Sequence, residues 1–284
     1  MPGGVATPLA AHTREHILSE LPKAIAIAEC TIQFFQGALD SYKEGIEFFG
    51  SFPSRYEGLV DAKGRPQLYD VNLRFRKASG KIAEDQIEPD AYREWIGEAS
   101  LRDSYLKAPY FKPQGFPAGV YRVGPLGRLN TADSCGTPKA DQELKEFRQR
   151  FGTAAHSAFL YHYARLMEVT YALERMEAAG RSADSRDTRA GSRGRKPERR
   201  RGNHRSAARN ADSSLQSGRK WRHRMGQPVA TGHNNLASGK SVQQVSEHFI
   251  DGNKLSAGMV NRVSAVVRAY DPSLSCSTHA NGLL

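Results

Sequence analysis

The chain has 284 residues, a formal net charge of +11 and a pI near 9.7. This length allows one large domain or two small ones and a substantial buried core. No apolar run approaches the ~18 residues of a membrane helix, and no secretory signal is visible at the N-terminus. The cysteines are Cys30, Cys135 and Cys276. Their odd number and wide spacing argue against a disulfide framework, and we expect a cytoplasmic protein.

The positive charge is concentrated in one segment. Residues 181–224 hold thirteen arginines and two lysines against four acids, which accounts for the whole excess. Leu215 and Trp221 are the sizeable apolar residues of this segment. Such a composition cannot bury enough surface to offset the entropy of ordering, so we predict that residues 181–229 are disordered in isolation. A second interpretation is a basic nucleic-acid-binding tract, although no aromatic platform accompanies it apart from Trp221.

The first part of the chain predicts helices. A short helix is expected from Thr13, as N-cap, to Glu20, and a second helix begins at Pro22. In the second helix apolar residues recur every seven positions in two series, which predicts a face that packs on a partner helix. The series are Ile25, Ile32, Leu39 and Ile46, and Ala28, Phe35, Tyr42 and Phe49.

Residues 53–90 alternate apolar and polar side chains between turn signals and predict a small antiparallel sheet of two to four strands. Residues 105–138 are rich in proline and glycine, which excludes a regular helix there, yet they carry many aromatic residues. We predict an aromatic loop packed over the body of the protein.

Thr137-Pro138 opens a predicted long helix that ends near Gly180, and two further helices follow Met225. The fold class is therefore mainly α with a small antiparallel β-sheet (α+β). We divide the chain into a helical body at 1–180, the arginine-rich segment at 181–229 and a C-terminal part at 230–284.

The C-terminal part ends in AYDPSLSCSTHA, residues 269–280. A loop of the form D-P-C-x-x-C would place two thiolates on one turn, where both can bind one soft metal ion. Here Ser273 occupies the first of the two positions and Cys276 the second, and His279 follows. A serine hydroxyl is a poor substitute, because its pKa lies far above that of a thiol.

Several segments in the right order resemble the large subunit of nickel–iron hydrogenases, in the soluble, cofactor-coupled branch of NAD-reducing and bidirectional enzymes. The segments are PGGV, YLKAPYFKPQGFPAGVYRVGPLGRLNTADSCGTP, EFRQRFGTAAHSAFLYHYARLMEVTYALERME, ATGHNNLA, VSEHFIDGN and GMVNRVSAVVRAYDPSLSCSTHA. Apart from residues 181–229, the resemblance covers most of the chain.

The resemblance implies a nickel and an iron bridged by thiolates, with carbonyl and cyanide on the iron and a magnesium ion nearby. Cys276 matches the second C-terminal cysteine, which bridges both metals, and Ser273 matches a cysteine that binds nickel alone. His279 matches the histidine that helps to hold magnesium and marks the maturation cleavage site. The reaction implied is the reversible oxidation of dihydrogen to protons and electrons. The implied partners are an iron–sulfur small subunit and associated electron-transfer subunits; we expect neither a membrane nor nucleic acid.

The chain also departs from that family. The N-terminal C-x-x-C segment is not in this sequence, and with Ser273 three of the four expected thiolates are missing. We therefore expect a partial, inactive copy. A non-catalytic protein that binds the iron–sulfur subunit stays open, as does nucleic-acid binding through 181–224. The family pattern implies a strand segment with P-R-G, facing the metal site, within residues 181–229. Nothing in these residues resembles it, although their length is about right for that segment. We therefore favour a compensated pair of frameshifts over an evolved basic insertion.

Overall fold

The computed structural model of the chain describes residues 9–67, 71–102, 104–182, 199–205, 210–217, 223–229, 234–252 and 255–272. The helices are α1 (Ala11–Ser41), α2 (Lys43–Phe48), α3 (Tyr92–Trp95), α4 (Gly124–Thr131), α5 (Pro138–Phe151), α6 (Leu160–Arg181), α7 (Asn235–Phe249) and α8 (Ala257–Tyr270). The strands are β1 (Arg55–Val60), β2 (Asn72–Arg76), β3 (Ile82–Ile87), β4 (Ile96–Leu101), β5 (Ser104–Phe111), β6 (Tyr121–Arg122), β7 (Arg199–Arg205), β8 (Asn210–Ser217) and β9 (His223–Val229).

Within the described ranges, three small sheets accompany the helices. The largest has the strand order β3-β2-β1-β6. Strands β1 to β3 pair antiparallel, whereas β6 runs parallel to β1, with Arg55 opposite Tyr121. Strands β4 and β5 form an antiparallel hairpin. Long helices with small, mostly antiparallel sheets confirm the predicted α+β class.

The backbone of the arginine-rich segment includes β7, β8 and β9, which pair antiparallel. The composition did not predict these strands. Residues 183–198, 206–209, 218–222 and 230–233 of this part lie outside the described residues. The expectations of disorder in isolation and of a frameshift therefore stay predictions.

The N-terminal region is one helix through Pro22, so the predicted break between Glu20 and Pro22 is wrong. Thr13 is not its N-cap, because the helix starts at Ala11. Proline inside a helix costs about 3 kcal/mol, but here it lies beside a continuous buried face that packs on α6 and offsets this cost. The face consists of Leu21, Ile25, Ala28, Ile32 and Leu39. It contains three members of the first heptad series, which confirms the predicted packing face within α1. The series do not continue in one helix, because α1 ends at Ser41, and Tyr42 of the second series is exposed.

The proline- and glycine-rich region is packed in part: Phe111, Tyr121 and Leu126 are buried, whereas Tyr105 and Phe116 are exposed. The exclusion of a regular helix was wrong, because all eight residues of α4 are helical and buried. Pro125 lies in the first turn of α4, where a missing N–H costs nothing. A Cβ at Gly127 would lie 2.9 Å from the Arg122 carbonyl oxygen, so glycine allows α4 to approach the sheet closely.

The predicted long helix from Pro138 to Gly180 is interrupted. Helix α5 ends at Gly152, whose φ of 80° is in the left-handed region that favours glycine. The chain then crosses towards the end of α2, where the Ala158 N–H donates to the Phe49 carbonyl at 3.0 Å. Helix α6 begins at Leu160. Both C-terminal helices, α7 and α8, are present as predicted.

The buried side chains of the described residues form two clusters. The helical core includes Ile32, Leu39, Leu126, Leu144, Phe147, Tyr161, Met167, Val245, Val266 and Tyr270. The sheet core consists of Leu59, Val71, Leu73, Phe75, Ile87, Tyr92, Ile96, Phe111, Tyr121 and Val123. Strand β6 and the start of α4 lie where the two clusters meet, and this junction is the region from which the candidate site is built.

Candidate functional site

The predicted metal-binding residues Ser273, Cys276 and His279 lie outside the described residues. The structure describes the chain that leads to them, up to Pro272. Within the described ranges, no group of three or more His, Cys, Asp or Glu side chains is placed to hold a metal ion. The described residues nearest to them in the chain form the support beneath the C-terminal segment.

Tyr270, the last residue of α8, is buried and fixes the start of that segment. Its hydroxyl shares a hydrogen bond of 2.8 Å with Ser241 Oγ on α7, and its ring packs on Tyr161 with centroids 4.8 Å apart. The Asp271 N–H then closes the helix on the Val267 carbonyl at 3.0 Å, in a left-handed conformation with φ 49°. The chain is therefore held in position directly before Pro272.

Arg122 of β6 is the largest fully buried side chain of the described residues. Its guanidinium donates to the His156 carbonyl and, at 3.1 Å, to the Gly50 carbonyl. It also lies 4.0 Å from the centre of the Phe52 ring and 6.0 Å from that of Tyr270. Within the described part of the chain, Arg122 Nε has no hydrogen-bond partner. A buried cation thus joins three segments next to the base of the C-terminal segment.

The tyrosines around Arg122 stay protonated at neutral pH. Burial raises the pKa of Tyr56 to about 12 and the pKa of Tyr161 well above its usual value, and it raises that of Tyr270 as well. Burial also acts to lower the pKa of Arg122, but its interactions with these three hydroxyls outweigh that effect and the pKa is raised. The tyrosines are therefore neutral donors and acceptors around one positive charge.

His156 connects this centre to the sheet. The Tyr56 hydroxyl donates to the Ala155 carbonyl at 2.6 Å, and its oxygen lies 2.7 Å from His156 Nδ1. Burial, followed by the charge of Arg122, lowers the pKa of His156, so the imidazole is neutral at physiological pH. These hydrogen bonds can hold the Ala155 backbone and the Tyr56 hydroxyl in place. Because His156 is neutral, it adds no second positive charge beside that of Arg122.

Asn234 ties the segment ATGHNNLA to the same junction. Its Oδ1 accepts the Val123 N–H at 3.0 Å, and the Tyr161 hydroxyl donates to the Val123 carbonyl at 2.9 Å. Asn234 is 5% exposed, so both groups of Val123 are satisfied by buried side chains. Sequence reasoning placed this residue in a family-like segment but assigned it no contact.

Sequence reasoning also missed an ion pair at the junction. Glu168 of α6 accepts two hydrogen bonds from Arg128 of the buried α4, at 2.6 and 2.7 Å. Cys135 lies buried in the α4–α5 loop, and Cys30 is exposed on α1. None of the helices in the described ranges has the length and apolarity needed to cross a bilayer.

Comparison with known proteins shows which proteins this chain resembles in sequence. No family model matches the chain. One subunit of the F420-non-reducing hydrogenase of Methanothermobacter thermautotrophicus is 33% identical over 291 residues, which cover 98% of this chain and 59% of the relative. NAD-reducing hydrogenase HoxS subunit beta of Cupriavidus necator is 27% identical over 303 residues, or 99% of this chain and 60% of that protein. The chain is a homologue of hydrogenase subunits.

Solved structures place the homologue in the hydrogenase fold. An NAD+-reducing NiFe hydrogenase in the H2-reduced state superposes with a TM-score of 0.91 at 32% identity, covering 98% of this chain and 62% of the other. The NiFeSe hydrogenase of Dm. baculatum superposes at 0.67 with 17% identity, a likeness of fold alone. The hydrogenase homologue thus spans about three fifths of the length of the relatives that it matches.

Hydrogenases of these kinds contain metal, as the names of the structural neighbours state. The donors in the described part of this homologue do not fit a nickel–iron centre. Cys30 lies on the outer surface of α1 and Cys135 in the α4–α5 loop, and neither belongs to a cluster of ligand residues there. We therefore derive no chemical step through a metal from these residues.

Proposed function

We propose that this chain is a large-subunit component of a soluble, cofactor-coupled nickel–iron hydrogenase, located in the cytoplasm. The observation that carries this proposal is the superposition on an NAD+-reducing NiFe hydrogenase over 98% of the chain, with a TM-score of 0.91 and 32% identity. In such an enzyme the catalytic subunit oxidises dihydrogen reversibly, and the electrons pass to an iron–sulfur subunit and further electron-transfer subunits.

We further propose that these 284 residues alone do not assemble the nickel–iron centre and do not oxidise dihydrogen. Cys276 supplies one thiolate, whereas Ser273 carries a hydroxyl at the position where the resemblance expects another. A serine hydroxyl stays protonated in a neutral site and binds nickel weakly. A role of His279 in holding magnesium is likewise only a proposal, since the resemblance alone suggests it.

A non-catalytic role as a binding partner of the iron–sulfur subunit is a second candidate. It is favoured by the contrast between a fold that is retained over nearly the whole chain and a ligand set that departs from the family. Nucleic-acid binding through 181–224 has composition as its support and no further observation, so we do not propose it.

The experiment is co-expression of the chain with the iron–sulfur subunit and maturation proteins of a nickel–iron hydrogenase relative. We expect the chain to copurify with the iron–sulfur subunit and to retain little nickel. Ser273→Cys should increase the nickel retained after dialysis, and adding Cys276→Ser to that variant should remove the gain. Metal content by mass spectrometry and hydrogen-dependent dye reduction are the measurements.

Stoichiometric nickel with hydrogen-dependent dye reduction in the unchanged chain would overturn the proposal of inactivity. A chain that folds but does not copurify with the iron–sulfur subunit would overturn both the large-subunit assignment and the binding role. The two results are distinguishable, because the first concerns metal and the second concerns assembly.

A further inference from the structure

Helix α1 has a second face that packs on nothing in the described part of the chain. Its residues follow each other at intervals of four and three, and we call them the outer seam: Lys23, Ile27, Cys30, Phe34, Gly37 and Ser41. All of them are exposed. At 100° per residue they lie within about a quarter turn of each other, opposite the face that packs on α6.

The composition of the outer seam is unusual for a surface that faces water. Phe34 is 78% exposed and Ile27 is 58% exposed. A Cβ added at Gly37 would meet no atom within 4 Å, so no described contact requires glycine there, although glycine in a helix interior costs about 1 kcal/mol relative to alanine. A helix that is apolar on two opposite faces is one that packs on both sides. The alternating spacing of four and three is that of a helix-to-helix seam.

We propose that the outer seams of two copies of this chain pack against each other as an antiparallel helix pair. With the pair centred near Ile32, each bulky side chain lies opposite a small one: Phe34 opposite Cys30 of the other copy, and Ile27 opposite Gly37. A parallel pair would instead place Phe34 against Phe34 and Gly37 against Gly37, which leaves a gap. Knobs from one helix need holes on the other, and the antiparallel order supplies them.

The charges at the two ends of the outer seam favour the same order. Lys23 at one end has no ion pair among the described contacts. At the other end, next to Ser41, Asp40 uses one oxygen for Arg150 and its side chain remains 60% exposed. The antiparallel order brings Lys23 near Asp40 of the other copy, whereas a parallel order would bring like charges together. The contact is isologous, so it closes after two copies.

The association should be reversible and modest. The seam is about 28 Å long, at 1.5 Å per residue from Lys23 to Ser41. One helix pair of this length buries less than the ~1,600 Å² of a standard stable interface. We expect a dissociation constant in the micromolar range, ~1–100 µM.

The first test is sedimentation equilibrium of the full chain over a wide concentration range. We expect a monomer–dimer equilibrium, and Phe34→Glu should raise the dissociation constant roughly 30-fold or more. Val260→Glu is the matched control, because Val260 is 51% exposed on α8 and lies outside the outer seam. It should leave the dissociation constant unchanged, and circular dichroism should show that both variants are folded.

The second test reports the order of the helices. In the antiparallel pair the Cα atoms of the two Cys30 residues are offset by about 6 Å along the axes. Because both residues face the partner helix, they are separated by only ~4–5 Å across a pair whose axes lie ~8–10 Å apart. The resulting Cα–Cα distance of about 7–8 Å is just beyond the usual range of a disulfide but within reach of a short bismaleimide. We expect a cross-linked dimer that is lost in Cys30→Ser and kept in Cys276→Ser.

Three results would overturn the proposal. One is a chain that stays monomeric at high concentration. Another is ready and complete oxidation of Cys30 to an intermolecular disulfide, because only the parallel order brings the two Cα atoms within the usual disulfide range. The third is a monomeric chain whose Phe34→Glu variant fails only in capturing the iron–sulfur subunit, because the occupant of the outer seam would then be that partner.

Discussion

Arg128 shows how a single buried side chain governs its surroundings. Helix α4 is enclosed on all sides, so its arginine, 2% exposed, needs a carboxylate within the protein. Glu168 supplies it with two nearly parallel hydrogen bonds of 2.6 and 2.7 Å, the strong geometry for this pair of groups. The sequence did not reveal the pair. The glycines and the proline around Arg128 argue against a helix there, and the charged residues of an amphipathic helix such as α6 usually face solvent.

We expect Glu168→Gln to lower the free energy of unfolding by about 2–4 kcal/mol, because it leaves the Arg128 charge buried without a counter-charge. Glu177→Gln is the control, since Glu177 pairs with the exposed Arg181 and should cost less than about 0.5 kcal/mol. Urea unfolding followed by circular dichroism measures both. Equal losses in the two variants would contradict the argument.

At the scale of elements, helix ends were harder to predict than helix faces. The buried faces of α1, α7 and α8 follow the apolar periodicity, and Ile32, Val245 and Val266 are in the core. Helix α5 ends before Gly152, which adopts a left-handed φ that the sequence alone does not show. Gly239 is also a glycine, yet it lies inside α7. The same residue type ends one helix and continues another, and tertiary contacts decide between them.

Two identical substitutions should therefore have opposite effects. Gly152→Ala should lower the free energy of unfolding by about 1 kcal/mol, since a Cβ disfavours the left-handed conformation. Gly239→Ala should raise it by about 0.5–1 kcal/mol, since alanine is the better helix former. In both positions an added Cβ has no atom within 4 Å, so backbone conformation alone sets the sign. Thermal unfolding of the two variants checks the prediction, and effects of the same sign would refute it.

For the whole molecule, the α+β class and the two C-terminal helices could be predicted from the sequence because apolar periodicity is a local signal. The short parallel contact of β6 with β1 and the junction around Arg122 could not, because they join residues such as Arg55 and Tyr121 that are distant in the chain. The ligand residues Ser273, Cys276 and His279 were inferred from resemblance and stay predictions. Asn234 lies in a segment that the resemblance singled out, but its hydrogen bond with the Val123 N–H was apparent only from the structure.

Two half-buried histidines give the molecule a pH dependence. Burial, and then Arg122, lowers the pKa of His156; burial, and then Arg165 and Arg268, lowers the pKa of His162. Both are neutral in the folded protein, while the unfolded chain binds protons near pH 6.5. Their contribution to stability is therefore fully present above about pH 6.5 and is lost as the pH falls towards the folded values.

We expect the free energy of unfolding to decrease on acidification from about pH 6.5 to pH 5, and the double variant His156→Gln, His162→Gln to show a smaller decrease. Glu143, whose pKa is raised mainly by burial, acts in the opposite direction in both proteins, so the difference between them is the quantity to measure. Urea titrations at several pH values provide it. A double variant with an unchanged slope would show that these histidines do not titrate with unfolding.

Arg122 has one more consequence, for the way in which the molecule opens. It belongs to a strand of the sheet, yet its hydrogen bonds end on Gly50 and His156, in loops next to helices of the helical core. Loosening the helical core while the sheet core stays folded would remove the carbonyl acceptors of a buried guanidinium, which costs free energy. We therefore expect amide hydrogens of the helical core and of the sheet core next to Arg122 to exchange with solvent through one shared cooperative event.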